Sequence, residues 1–135
     1  MLQAGVIGCG HLGKFHIKQL SESKRYQLSG VFDKNLDIAR VVSKEFNCDF
    51  FDNSDDLINK SDVICIVTPT PFHFEYAKKC IASDVHVFIE KPVCESLEVM
   101  PVKEASNYSI VGHHNISARK WDVIPWAEKL YYGLD

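Results

Sequence analysis

Residues 63–67 read Val63-Ile64-Cys65-Ile66-Val67, five consecutive apolar residues of which four are β-branched. A strand with one face in water alternates apolar and polar side chains. An unbroken run of this kind belongs instead to a strand covered on both faces, as in a parallel sheet clad with helices. At 135 residues the chain is long enough for one such domain, burying about two-thirds of its unfolded surface.

Around that strand two periodicities alternate. Ala4–Ile7 is a short apolar run closed by glycines and reads as a strand. His11–Ser23 follows as an amphipathic helix with Leu12, Phe15 and Leu20 on its apolar side. Tyr26–Phe32 is a second strand, and Asn35 is placed to cap a helix with Ile38, Ala39, Val42 and Phe46 inward. Asp49–Phe51 reads as a short edge strand, and Ser54 as the cap of a brief helix carrying Leu57 and Ile58. Phe72–Ala82 is helical by pattern, with Tyr76, Ala77, Cys80 and Ile81 inward, and Val85–Ile89 is the next strand. Ser96–Ala105 has helical spacing limited by Pro101, Ser109–Val111 reads as one more strand, and Trp121–Tyr132 as a helix. Strands alternating with helices imply right-handed βαβ crossovers and an α/β, doubly wound, mainly parallel sheet with helices on both faces.

The first turn of that scheme carries chemistry. Gly8-Cys9-Gly10-His11-Leu12-Gly13 is a G-x-G-x-x-G that directly follows the first strand and opens the first helix. In that context it is the dinucleotide fingerprint of a Rossmann sheet. Gly8 permits the tight turn, Gly10 lets backbone approach a pyrophosphate, and Gly13 lets helix and strand pack closely. The helix N-terminus adds unpaired N–H groups and a partial positive charge. The fingerprint requires an acid about 20 residues on, and Asp33 closes the second strand at that place. Its carboxylate suits the adenosine ribose hydroxyls and repels a 2′-phosphate, favouring NAD. Lys34 beside it leaves NADP open, because a cation there can hold a phosphate. Thr68-Pro69-Thr70-Pro71 and Glu90-Lys91-Pro92 also fall directly after strands, at the edge of the sheet where ligands bind. Thr68 and Pro69 are expected over the nicotinamide half. His73 stands at the start of the following helix, where a capping or packing role competes with one at the cofactor.

Composition narrows the alternatives. A net charge of −3 with 24% charged residues offers no electrostatic reason for a nucleic-acid or anionic-membrane partner. No apolar stretch approaches the roughly 18 residues of a membrane span, and Met1-Leu2-Gln3 runs into a strand without a basic leader, so no secretory signal is expected. Cys9, Cys48, Cys65, Cys80 and Cys94 are odd in number and form no C-x-x-C. They read as reduced thiols in a cytoplasmic protein. His113 and His114 lack the spaced partner set of a metal site, and none is expected.

Taken together, GCGHLG with the downstream His16, VFDKN, TPTPFHFEYAKKCIASDVHV and EKP resemble the N-terminal domain of the Gfo/Idh/MocA oxidoreductases (glucose–fructose oxidoreductase, inositol 2-dehydrogenase and relatives). The resemblance covers residues 2–92. It implies that Lys91 lies near the nicotinamide ring and the substrate hydroxyl as the catalytic residue. It further implies that Glu90 holds the turn and that Pro92 keeps Lys91 extended. An ammonium in a partly desolvated cleft has a lowered pKa and can relay or stabilise the hydroxyl proton as hydride leaves carbon. The cofactor set is then Gly8, Gly10, His11, Leu12, Gly13, Asp33, Lys34, Thr68, Pro69, His73, Glu90 and Lys91.

Thr70 departs from the Asn common in relatives, the stretch between EKP and Ile110-Val111-Gly112 is shorter than usual, and Gly112-His113-His114-Asn115 matches the family crossover only loosely. Relatives carry a second α/β domain with the substrate pocket and dimer surface. Residues 1–119 are therefore expected to form the dinucleotide-binding domain, and 120–135 the start of a junction to an absent C-terminal substrate domain. The implied reaction is hydride transfer between a nicotinamide dinucleotide and a sugar, cyclitol or related alcohol or ketone, a small polyhydroxylated substrate handled only by a longer form. The oligomeric state stays open without the C-terminal domain. The competing readings are a non-catalytic dinucleotide-binding sensor or interaction module, and a Rossmann domain for S-adenosylmethionine.

Overall fold

The computed structural model describes residues 1–90 and the strand at 110–112. In chain order the strands are β1 (Leu2–Ile7), β2 (Tyr26–Phe32), β3 (Val63–Ile66), β4 (His86–Ile89) and β5 (Ile110–Gly112). The helices are α1 (His11–Ser21), α2 (Leu36–Glu45), α3 (Ser54–Asn59) and α4 (His73–Ala82), with a 3₁₀ turn at Thr70–Phe72 leading into α4. All four strand pairings are parallel, in the order β2-β1-β3-β4-β5. The expected edge strand at Asp49–Phe51 is reduced to a single parallel bridge, Phe50 beside Val31 on the free side of β2. The helices on both faces and the reversal of strand order at β1 make this the doubly wound sheet that the alternating periodicities require.

The Val63–Val67 run shows why no polar residue interrupts it. Ile64 and Ile66 join Leu57, Tyr76, Cys80, Ile81, Val87 and Ile89 in the core beneath α3 and α4. Val63, Cys65 and Val67 join Val6, Ile17, Leu20, Ala39, Val42 and Phe88 beneath α1 and α2. Alternate side chains therefore enter different cores. In α4 the expected inward set Tyr76, Ala77, Cys80 and Ile81 is buried, joined by His73. Asn35 caps α2, its side chain accepting from the N–H groups of Asp37 and Ile38.

Two local expectations are corrected. The cap of α3 is Asn53, whose side-chain oxygen accepts from Asp56 N–H at 2.9 Å. Ser54 is instead the first helical residue, buried, with its hydroxyl receiving Lys79 Nζ at 3.3 Å. The larger correction concerns α1. Its buried face is Gly13, His16, Ile17 and Leu20, whereas Leu12 and Phe15 are 47% and 54% exposed. The rotation of the helix is set at Gly13, where a Cβ would stand 1.9 Å from the Gly8 carbonyl oxygen. That close approach turns residues 13, 16, 17 and 20 inward and leaves the other apolar stripe outside. The expected helices at Ser96–Ala105 and Trp121–Tyr132 lie outside the described residues. The strand expected at Ser109–Val111 is found at Ile110–Gly112, paired to β4.

Candidate functional site

The carboxyl ends of β1, β2 and β3 surround a cleft of about 600 Å³. It opens at the point where strand order reverses, the place where doubly wound sheets bind ligands. Its wall includes Gly8, Gly10, His11 and Leu12 from the first turn, Asp33 and Lys34 from the β2 exit, and Thr68 and Pro69 from the β3 exit. Eight of the twelve residues expected at a cofactor therefore share one concavity.

The first turn is built from backbone. Gly8 has φ +106°, a left-handed conformation, and a Cβ on it would stand 2.6 Å from the Val67 carbonyl oxygen. Its N–H donates to Phe32 O at 2.8 Å, which ties the β1 exit to the β2 exit. Gly10 precedes α1 in extended conformation and offers no side-chain cap. The first N–H groups of α1 therefore have no carbonyl partner within the helix, as at any helix start. A Cβ on Gly10 would meet nothing within 4 Å. The space in front of that residue is open for a ligand.

Asp33 organises the turn as well as facing the cleft. One carboxylate oxygen accepts from Cys9 N–H and the other from Asn35 N–H, both at 2.8 Å. A carboxylate has about four lone-pair sites, so two hydrogen bonds leave capacity for ribose hydroxyls. Lys34 holds its ammonium 3.7 Å from the centroid of the Phe72 ring. This cation–π contact places a positive charge at the rim beside Asp33. Phe72 and Tyr76 also line the cleft. Spacing alone places Tyr76 in the core and Phe72 at the start of a helix. An aromatic residue just past a strand-end turn was the available signal.

At the β3 exit Thr68 lines the cleft, and its hydroxyl is buried with no hydrogen-bond partner in the structure. A buried hydroxyl without a partner carries a desolvation cost that a ligand group would remove. Three expected site residues stand behind the wall. His73 is 1% exposed, and its Nε2 lies 2.7 Å from the Thr68 carbonyl oxygen, so it braces the turn from within. Glu90 is 9% exposed and bonds His16 across 2.7 Å rather than facing the cleft. Gly13 is likewise packed against Gly8. Lys91 and Pro92 lie outside the described residues.

Three of the described thiols are held protonated. Burial, then the Asp33 charge, pushes Cys9 up to about 12. Burial also raises Cys80 to about 12 and Cys48 to about 11. Cys9 is thus no nucleophile at neutral pH, and its part in the fingerprint is its N–H. Among the described residues no group of three or more His, Cys, Asp or Glu side chains gathers as for a metal ion, and no helix is long and apolar enough to cross a membrane.

Residues 2–109 match the family described as oxidoreductase family, NAD-binding Rossmann fold (GFO_IDH_MocA). The UDP-N-acetylglucosamine 3-dehydrogenase of Acidithiobacillus ferrooxidans is 43% identical over 91 residues, covering 67% of this chain and 28% of that protein. The glucose-6-phosphate 3-dehydrogenase of Bacillus subtilis is 36% identical over 98 residues, covering 73% of this chain and 28% of that protein. A solved structure of the Acidithiobacillus enzyme superposes with a TM-score of 0.80 at 36% identity, over 84% of this chain and 38% of that one. The chain thus matches less than a third of the length of these two curated relatives.

Proposed function

The chain belongs to the Gfo/Idh/MocA oxidoreductase family, with its NAD-binding Rossmann fold, and on that premise we propose that it is the cofactor-binding part of an enzyme moving hydride between NAD and a secondary alcohol. The substrate class is a sugar, cyclitol or related polyol derivative, in keeping with the two sugar dehydrogenases it resembles. In this reading the pyrophosphate lies on Gly8, Gly10 and the start of α1, with His11 and Leu12 along its flank. Asp33 takes the adenosine ribose, and Thr68 and Pro69 face the nicotinamide half. Lys91 is the catalytic residue, which as a free amine would accept the hydroxyl proton while the hydride of the carbinol carbon passes to the nicotinamide. Within this proposal residues 1–119 are assigned to the cofactor domain. The buried, protonated thiols favour a reducing, cytoplasmic location.

The observation that carries the proposal is the Asp33 carboxylate, fixed by Cys9 N–H at 2.8 Å and lining the same cleft as Gly8 and Gly10. A dinucleotide needs that acid and that turn together. Calorimetry with NAD⁺ and NADP⁺ tests it. NAD⁺ should bind more tightly than NADP⁺, and Asp33→Asn should narrow or invert the preference, with Lys34 then available to the 2′-phosphate. Failure to bind either cofactor at millimolar concentration sinks the proposal, and binding of S-adenosylmethionine in their place would replace it. Lys91→Ala should leave cofactor affinity nearly intact and abolish turnover in an active longer form.

A further inference from the structure

One buried contact near the cleft is not required by the dinucleotide fingerprint. His16 lies in α1, 5% exposed, with Nε2 2.7 Å from Oε1 of Glu90, itself 9% exposed and directly following β4. The two are 74 residues apart in sequence. The imidazole also packs on Phe88, ring centroids 5.4 Å apart. The neighbouring inward residues of α1, Ile17 and Leu20, are apolar and suffice for packing. A withdrawn carboxylate costs desolvation unless a donor meets it, so a hydrogen-bonded pair here supplies direction rather than additional burial. It fixes the helix whose start faces the cleft against the end of β4, and Lys91 follows Glu90 by one peptide bond.

Resting on the nucleotide-binding reading above, we propose that His16 and Glu90 are positioning residues for the nicotinamide half of the cofactor. The order of strand ends supports the assignment. Asp33 follows β2, the glycine turn follows β1, Thr68 lies just past β3 and Glu90 follows β4. Adenosine at Asp33 and pyrophosphate at α1 send the nicotinamide towards β3 and β4. In this role neither side chain touches the cofactor or exchanges a proton with it. The hydrogen bond holds α1 to the end of β4.

Calorimetry on the 135-residue chain with NAD⁺ and with ADP-ribose, which lacks the nicotinamide, separates this role from general stability. His16→Phe keeps ring packing on Phe88 and removes the donor, whereas His16→Gln keeps an amide donor. The first should weaken NAD⁺ about tenfold while ADP-ribose changes by less than about twofold, and the second should restore most of the loss. Equal losses for both ligands, no loss for either, or no rescue by Gln would overturn the proposal. Should His16→Phe fail to fold, Glu90→Met keeps much of the side-chain volume, removes the acceptor and carries the same two-ligand comparison. A parent chain that binds neither ligand defeats the nucleotide-binding reading and this one with it. A parent that binds both ligands equally defeats only this one.

Discussion

The exits of β1 and of β3–β4 stand side by side in one sheet and are built by opposite means. At the β1 exit the shape comes from backbone: Gly8 in a left-handed conformation, Gly13 against the Gly8 carbonyl, and N–H groups turned to Phe32 and Asp33. At the other two, buried imidazoles do the bracing, His73 on the Thr68 carbonyl and His16 on Glu90, each at 2.7 Å. Backbone turns of the first kind exclude side chains and fail abruptly when one is added. Side-chain braces of the second kind lose a hydrogen bond at a time and fail by degrees.

Substitutions can break or sharpen that contrast. The largest effect is expected from Gly13→Ala, because a Cβ 1.9 Å from a backbone oxygen forces α1 off the sheet. A loss on the order of 4 kcal/mol or more in urea unfolding is expected, and a mild loss would mean that the β1 exit is less rigid than described. His73→Leu keeps an apolar volume and removes the brace on Thr68. It should cost about 2 kcal/mol, read as a fall of several degrees in Tm, with the β-sheet circular dichroism unchanged. Gly10→Ala sharpens the comparison from the other side. With nothing within 4 Å of its Cβ, stability should stay within about 0.5 kcal/mol, while NAD⁺ affinity falls about tenfold as the methyl meets the pyrophosphate. Destabilisation matching that of Gly13→Ala would erase the distinction between a glycine needed by the fold and one needed by the ligand.

The smallest effect is a pH dependence carried by two buried thiols, Cys9 at the β1 exit and Cys80 near the C-terminal end of α4. Both thiols are raised by burial from 9.0 to about 12. Below pH 9 the folded and unfolded chains both hold these protons. Above it the unfolded chain releases them first, so stability is lost as pH rises from about 9 towards about 12. Urea midpoints at pH 8 and pH 10 should show the fall, and Cys80→Ala should lessen it. An unchanged midpoint would mean that these thiols ionise equally in both states.

Much of this was legible because it is local. The bounds of β2 at Tyr26–Phe32, the Asn35 cap and the inward face of α4 all follow from spacing and short-range hydrogen bonding. So does the glycine turn, whose residues lie within six positions of one another. Leu20 is inward as its spacing requires, but the sequence does not separate Leu12 and Phe15 from Ile17, which is as apolar as they are. Only the approach of Gly13 to Gly8 chooses between the stripes. Asn53 and Ser54 are both strong capping residues in adjacent positions, so the sequence leaves the cap of α3 open and the entry path of the chain selects Asn53.

From its sequence alone the chain is a doubly wound parallel sheet with a dinucleotide turn, since strand burial, helix periodicity and glycine placement act over a few residues and need no partner elsewhere. Tertiary structure alone decided that Phe72 and Tyr76 line the cleft and that Lys34 rests on Phe72. It also moved His73 and Glu90 from the wall to the braces behind it. Those outcomes depend on which distant side chain meets a buried polar group, as His16 meets Glu90 across 74 residues. Burial makes such a group require a partner, and only the packed sheet determines which one it finds.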